Sequence, residues 1–329
     1  GFNWEKRKEP FQIVYRGVDA PWAEHDWRAV PAAGQAARLE EFLREDRRRS
    51  FDLATAPLLR VHVIRMSETA WHFCWSHHHL LLDGWSRSLL VQEWLQRYRA
   101  ALRGERAAVA VPRPFKHYLA WLRQQDAAAA EAFWRRELAG FEAPAALTLG
   151  RAGMKGEKEQ GGGEVEIFLS AEDSRVVREF AARRQLTANT VAQGAWSLLL
   201  GRLGGTGEPV CGVTVSGRPA ELPGVETMVG LFINTLPLRV AIAADARVGS
   251  WLETLQKKMT ELRRFESTPL ARIQSWSGLG HGEAMFESIF VFENYPVDPA
   301  AADLGTGFTI GGISSFERPN YPLTLLVSP

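Results

Sequence analysis

The feature that most constrains this fold is a repeated change of hydrophobic period along the chain. Residues 58–66 and 71–77 alternate side-chain character at period 2, and the short segment between them predicts an antiparallel pair of strands. Residues 84–102 follow with an apolar stripe at helical spacing. Strands and helices that alternate in this way indicate an α/β fold.

The same pattern places further elements on both sides of a Gly- and Lys-rich segment at 149–163, which is the predicted linker. Strands are predicted at 11–18, 165–169, 210–215, 235–240, 288–293 and 322–327, and helices at 33–49, 115–125, 128–138, 171–185, 188–203 and 248–265. Ser170 is the expected N-cap of one helix, with Asp173 at its third position. The pattern therefore predicts two α/β lobes.

Charge and cysteine content exclude several classes of protein. Lys and Arg total 39 against 38 Asp and Glu, which leaves no basic field to attract nucleic acid. The sequence contains no run of eighteen apolar residues, so no membrane span is predicted. Cys74 and Cys211 stand far apart in apolar stretches, so we expect buried, reduced thiols in a cytoplasmic protein.

The candidate catalytic side chains lie in the segment 76–86, which has the sequence SHHHLLLDGWS and joins a predicted strand to a predicted helix. A histidine at such a strand end accepts a proton near neutral pH. Asp83 lies four residues beyond His79, and Gly84 permits a turn that a side chain would forbid.

Three other interpretations of this segment stay open from the residues alone. A histidine run at a strand end is often an ordinary surface feature. His77 and His79 share a face on an extended strand, and Asp83 offers a third metal ligand, but no further ligands stand out. A Ser-His-Asp hydrolase is disfavoured because no G-x-S-x-G elbow follows a strand. We therefore expect no bound metal ion.

The stretch from His78 to Ser86 resembles the H-H-x-x-x-D-G signature of condensation domains in nonribosomal peptide synthetases. Other segments resemble motifs of this family in the family's order: Gly1-Phe2 (the end of R-T-x-F), Tyr118-Leu119-Ala120-Trp121 (Y-x-x-W), Val229 to Thr235 (V-G-x-F-V-N-T), Thr268-Pro269-Leu270 (a short motif before a helix) and Asn320 to Leu323 (N-x-P-L). The resemblance covers nearly the whole chain. The family's first strand and helix and its last helices are missing, so we expect a domain truncated at both ends.

The resemblance implies two lobes, each similar to chloramphenicol acetyltransferase, in a V-shaped pseudo-dimer with a tunnel between them. Residues 1–150 would be an incomplete N-terminal lobe that carries the histidine motif, and 151–329 an incomplete C-terminal lobe. Upstream and downstream peptidyl carrier proteins would deliver 4'-phosphopantetheine thioesters, with no cofactor bound covalently to the domain itself. An adenylation domain would be adjacent in the same polypeptide. The product would be an amide.

The resemblance also implies roles for the residues of the histidine motif. His79, at the second His position, would accept the proton of the attacking amine. Gly84 would offer its backbone N–H to the developing oxyanion, and His78 would pack within the fold.

Other implied positions are structural or line the tunnel. Asp83 would pair with Arg218, in the segment V-S-G-R-P of the other lobe. Trp85, Ser86 and Asn234 are the candidate substrate- and tunnel-lining residues, although core packing is the stronger alternative for Trp85 and a turn cap an equal one for Asn234.

The function that the resemblance implies is peptide bond formation between two carrier-bound substrates. The variant HHLLLDGWS and the segment 265–270 favour two L-configured residues. The alternatives are an epimerisation domain of the same superfamily and a catalytically inactive docking module. A freestanding coenzyme A acyltransferase shares the H-x-x-x-D-G core but lacks the segment Val229 to Thr235.

Overall fold

The structure is a computed structural model that describes residues 1–5, 10–142, 147, 163–280, 283–293, 309–317 and 320–328. Two units emerge: unit 1 is Gly1–Val91 with Val229–Leu231, and unit 2 is Gln92–Met228 with Phe232–Pro329. The predicted lobes, 1–150 and 151–329, follow the resemblance and stay a prediction. Most of the predicted linker, 149–162, lies outside the described residues.

Unit 1 contains two small sheets and one long helix. Its elements are β1 (Phe2–Asn3), β2 (Phe11–Gln12), β3 (Trp22–Asp26), α1 (Ala32–Arg48), β4 (Leu59–Arg65) and β5 (Trp71–His77), and α2 (Gly84–Leu102) begins in it. β1 pairs with β2, while β4 lies between β3, which is parallel to it, and β5, which is antiparallel. The predicted antiparallel pair is confirmed.

Alternation along β4 and β5 decides which side chains enter the core of unit 1. Ile64 and Cys74 are buried with Trp27, and apolar side chains of α1 pack against them. Trp71 and Phe73 point to the other face and are exposed. The opposite directions predicted for 71, 73 and 75 against 72, 74 and 76 follow from this pleat.

Unit 2 is built on a four-stranded sheet flanked by helices. Its elements are α3 (Lys116–Leu122), α4 (Ala127–Glu137), α5 (Ala171–Arg183), α6 (Ala188–Gly204), β6 (Val210–Val215), a 3₁₀ turn (Val225–Thr227), β7 (Asn234–Arg239), α7 (Val248–Arg263), α8 (Leu270–Trp276), β8 (Ser288–Phe292) and β9 (Leu323–Val327). The strand order is β7-β6-β8-β9, with β7 antiparallel to β6 and the other pairs parallel. Ser170 caps α5 by accepting the N–H of Asp173, as predicted.

Two strand predictions differ from the structure. Residues 165–169 form no strand, and Val165, Ile167 and Phe168 are largely exposed. The strand predicted at 11–18 is limited to β2, whereas β3 was not predicted. A period-2 pattern makes a strand only where another strand lies beside it, and the sequence does not show that neighbour.

Cys74 and Cys211 are buried free thiols, as predicted. Burial, helped by the charge of Asp46, raises the pKa of Cys74 to about 11, and burial alone raises that of Cys211 to about 12. None of the described helices has the length and apolar character that crossing a bilayer requires.

Candidate active site

The histidine motif occupies the turn between β5 and α2. β5 ends at His77, and the next residue returns a hydrogen bond to β4 from the N–H of His78 to the carbonyl of Leu58 at 2.9 Å. The N–H of Leu81 then donates to the carbonyl of His78, and the N–H of Leu82 to that of His79. These backbone bonds close the turn that presents His79.

His78 and His79 have different surroundings. His79 is exposed, whereas His78 is half-buried and its Nδ1 accepts the N–H of Leu80 at 3.1 Å. Burial lowers the pKa of His78, and the charge of His79 lowers it further. A protonated Nδ1 cannot accept a hydrogen bond, so this contact favours the neutral form of His78.

Asp83 precedes α2 and caps its N-terminus. Its side chain is almost completely buried, with 2% of the residue exposed, and its Oδ1 accepts the N–H of Ser86 at 2.7 Å. This is the hydrogen bond of a helix N-cap. Gly84 is therefore the first residue of α2, where the helix itself supplies no acceptor for the backbone N–H.

Ser86 binds a distant segment within unit 1. Its Oγ donates to the carbonyl of Gly230 at 2.8 Å and accepts the N–H of Gly230 at 3.1 Å, and the residue has no exposed surface. The same carbonyl also accepts the N–H of Asp83 at 3.3 Å. Gly230 is thus a site residue that the sequence analysis missed, although the motif Val229 to Thr235 marked its position. Trp85 is half-buried.

Arg218 makes three of its contacts within unit 2. Its Nη1 donates to the carbonyls of Val225 and Met228, and its guanidinium carbon lies 3.9 Å from the centre of the Phe232 ring. Gly217 before it has a φ of +61°, and a Cβ there would lie 1.8 Å from the carbonyl oxygen of Phe232. Only glycine fits this turn. The predicted pair with Asp83 stays a prediction.

Asn234 connects β7 to the segment between α7 and α8. Its Nδ2 donates to the carbonyls of Glu266 at 2.8 Å and Thr268 at 2.6 Å, and its Oδ1 accepts the N–H of Thr235. Both amide hydrogens are used in these bonds. In this arrangement Asn234 organises a turn of unit 2, which agrees with a role as a turn cap.

The metal and hydrolase interpretations find no geometric support in unit 1. β5 ends at His77, so His77 and His79 do not share a strand face. In the described ranges, no three His, Cys, Asp or Glu side chains are grouped as metal ligands. Ser76 donates its hydroxyl hydrogen to the carboxylate of Asp46 and not to a histidine.

A family model described as "Condensation domain" matches residues 2–329. The chain belongs to the condensation domain family. It is 46% identical over 329 residues to a component of the linear gramicidin synthase of Brevibacillus parabrevis, a match that covers 100% of this chain and 4% of that protein. The chain therefore spans only a small part of this much longer relative.

Solved structures agree on the fold of this condensation domain. The X-domain from teicoplanin biosynthesis superposes with a TM-score of 0.71 at 22% identity, over 86% of this chain and 64% of that one. The first condensation domain of the calcium-dependent antibiotic synthetase gives 0.69 at 18% identity, over 91% and 70%. The predicted family and the predicted chloramphenicol acetyltransferase-like α/β fold are confirmed.

Condensation domains of nonribosomal peptide synthetases are acyltransferases that form amide bonds with substrates held on carrier-protein phosphopantetheine. The turn between β5 and α2 provides groups suited to this reaction. It exposes the imidazole of His79 and leads directly into α2, whose first residue is Gly84. His78, Asp83 and Ser86 hold the turn through hydrogen bonds to backbone groups.

Proposed function

We propose that this condensation domain transfers an acyl or peptidyl group from a carrier-bound thioester donor to the amine of a carrier-bound aminoacyl acceptor, joining two L-configured residues. The observation that carries the proposal is the exposed imidazole of His79 on the turn between β5 and α2, where the side chains of His78 and Asp83 accept hydrogen bonds from backbone N–H groups.

The reaction needs little activation of its substrates. A thioester is already reactive, and an α-amine has a pKa of about 8. Alignment of the amine with the thioester carbonyl therefore supplies much of the rate. The remaining step is removal of the amine proton as the new C–N bond forms, and His79 is the acceptor that we assign to it.

The start of α2 supplies the second group. The carbonyl oxygen becomes negative as the amine attacks, and the N-terminal end of a helix stabilises negative charge. Gly84 carries the first backbone N–H of α2, so we assign it to the oxyanion. Collapse of the adduct then releases the donor thiol, and the proton held by His79 is available to it.

The partners in this proposal are peptidyl carrier proteins upstream and downstream, each with a 4'-phosphopantetheine arm, and an adjacent adenylation domain that supplies an aminoacyl group. Trp85 is proposed as a wall of the substrate path, while Asp83 and Arg218 are proposed to support the site. The two buried free thiols suit a reducing cytoplasm.

The test uses the full-length protein with one carrier loaded with a radiolabelled L-aminoacyl or D-aminoacyl donor and the other with an L-aminoacyl acceptor. We expect a dipeptidyl thioester on the acceptor carrier, formed from the L-donor. His79→Ala should lower its rate of formation by about 100- to 10,000-fold, the usual range for loss of a general base. The matched control is His117→Ala, an exposed histidine of α3, which should leave the rate unchanged.

The outcomes separate the alternatives. Use of the D-donor alone would refute the assignment of two L-residues but not amide formation. A donor that changes configuration without transfer would indicate an epimerisation domain. Carrier binding without product would indicate a docking module. Wild-type turnover in folded His79→Ala protein would remove His79 from the mechanism.

A further inference from the structure

A buried carboxylate lies behind the strand that leads to the histidine motif. Asp46 is in the last turn of α1 and is 6% exposed. It accepts a two-point contact from Arg60 of β4, with Nε to Oδ1 at 2.6 Å and Nη2 to Oδ2 at 3.1 Å. Ser76 of β5 donates its hydroxyl to Oδ2 at 2.5 Å. One carboxylate therefore joins α1 to two strands.

Asp46 is ionised at neutral pH. Burial by itself would raise its pKa, but hydrogen bonds from Arg60 and Ser76, with the charge of Arg60, outweigh burial and lower the pKa. The carboxylate is then acceptor-only, which fixes the direction of each hydrogen bond that it receives.

One histidine lies beside Asp46, and a second histidine contacts the first. Nε2 of His62 lies 3.4 Å from Asp46 Oδ1, and Nδ1 of His62 lies 3.2 Å from Nε2 of His25. Burial lowers the pKa of His62, the charges of His25 and Arg49 lower it further, and Asp46 opposes them. His62 is therefore neutral at pH 7, so Arg60 is the cation paired with this carboxylate.

Arg60 extends the contacts towards the turn. Its Nη2 also donates to the main-chain carbonyls of Asp46 and Arg49, which ties the end of α1 to β4. Its guanidinium carbon lies 4.4 Å from the centre of the Phe51 ring, and that ring meets the His78 ring edge-on at 6.4 Å between centres. Phe51 thus lies in contact with both Arg60 and the histidine that precedes His79.

The strand register places these contacts at the point where the motif leaves the sheet. Arg60 is opposite Ser76, and Leu59 is opposite His77, the last residue of β5. Ser76 is three residues before His79 along the chain. A shift of β5 by a fraction of an ångström at Ser76 would therefore move the turn that carries His79.

A buried ion pair is poor evidence of a need for stability alone, because apolar side chains of the same volume often stabilise a core as well or better. In some proteins such a pair instead specifies a single geometry. The Asp46–Arg60 pair joins α1 directly to β4, and Ser76 joins β5 to the same carboxylate.

We propose that Asp46, Arg60 and Ser76 form a positioning network that sets the location of the turn bearing His79. The proposal rests on the proposed function for its consequence in turnover, but the geometry can be tested without it. None of the three residues touches substrate in this proposal. They act through the end of β5 and through Phe51.

The test compares Ser76→Ala and Asp46→Asn with Ser76→Thr in the full-length protein. Ser76→Thr keeps the hydroxyl and suits a strand. Asp26→Asn is the matched control, since Asp26 also pairs with an arginine in unit 1 but is exposed. Ser76→Ala should lower kcat for dipeptide formation by about 10- to 100-fold with an unchanged KM for the acceptor, because displaced catalytic groups lower the rate at this scale. Ser76→Thr should restore kcat to within about threefold, and the control should change nothing.

A second readout does not depend on turnover. Exchange of the imidazole C2 hydrogen, followed by mass spectrometry, reports the environments of His78 and His79 separately in a protein of any size. We expect Ser76→Ala to change at least one of these two exchange rates by twofold or more, and Asp26→Asn to change neither. If the wild-type protein formed no dipeptide, the proposed function would fail while this readout still tested the network.

Some results would overturn the proposal. Unchanged exchange at both histidines in Ser76→Ala would do so, as would a kcat within twofold of wild type. Equal losses in Ser76→Thr and Ser76→Ala would show that the hydroxyl is not the relevant group. If Asp46→Asn fails to fold, the two Ser76 variants still decide the question.

Discussion

The contact between Ser86 and Gly230 is the most direct place to perturb the start of α2. Ser86→Ala removes a hydroxyl that both donates to and accepts from Gly230 in a fully buried position. The carbonyl of Gly230 keeps the N–H of Asp83, but the N–H of Gly230 loses the acceptor described here. The variant therefore strands one buried donor.

The expected cost follows from that single group. A buried polar group without a partner costs about 1–3 kcal/mol, which corresponds to an increase of about 5- to 160-fold in an opening equilibrium. We expect amide hydrogen exchange in the peptide that contains Gly230 to accelerate by this factor in Ser86→Ala. Hydrogen exchange with mass spectrometry measures it in the full-length protein.

Ser88→Ala is the matched control, because it makes the same change two residues along α2. Ser88 donates to the carbonyl of Gly84, within the helix, at 3.1 Å and is only half-buried. Its removal should alter the stability by less than about 0.5 kcal/mol. Equal exchange at Gly230 in the two variants would refute the inference that Ser86 holds this segment.

Three further predictions concern other parts of the chain. Gly217→Ala should reduce soluble expression sharply. Gly205 has nearly the same positive φ but no atom within 4 Å of an added carbon, so Gly205→Ala should cost only about 1–2 kcal/mol. Similar urea midpoints for the two variants would refute the steric argument. The pKa of His62 is lower in the folded chain than its ordinary 6.5, so the unfolded chain takes up this proton first as the pH falls. The free energy of unfolding should therefore decrease as the pH falls below about 6.5, and His62→Gln should weaken that dependence in urea titrations at pH 7.5 and 5.5. The predicted Asp83–Arg218 pair should appear as a double-mutant cycle in which the two alanine variants together cost less than their sum; additive losses would show that these residues do not interact.

Local patterns were sufficient for much of the fold near the site. The period change at residues 71–102 predicted β5 and α2 with the bounds that the structure has, Trp71–His77 and Gly84–Leu102. The cap at Ser170 followed from residue type and spacing. These features depend on side chains within a few positions of one another, so a single sequence contains them.

The sequence also contains a signal for the buried network. Asp46 continues the helical spacing of Leu39, Phe42 and Leu43, so a carboxylate occupies a position where an amphipathic helix buries its side chains. Arg60 likewise lies on the same buried face of β4 as Ile64. A charge on a predicted buried face, with an opposite charge on another, is a pattern that can be sought in other chains.

The sequence by itself determined the α/β class, the element bounds at the site and the residues of the histidine motif. Only the tertiary structure decided that β3 lies parallel to β4, that residues 165–169 form no strand, and that Gly230 receives Ser86. The reason is distance along the chain. Ser76 is 30 residues from Asp46, and Ser86 is 144 residues from Gly230, so the partner that satisfies each buried polar group is set by how the chain folds back and not by its neighbours in sequence.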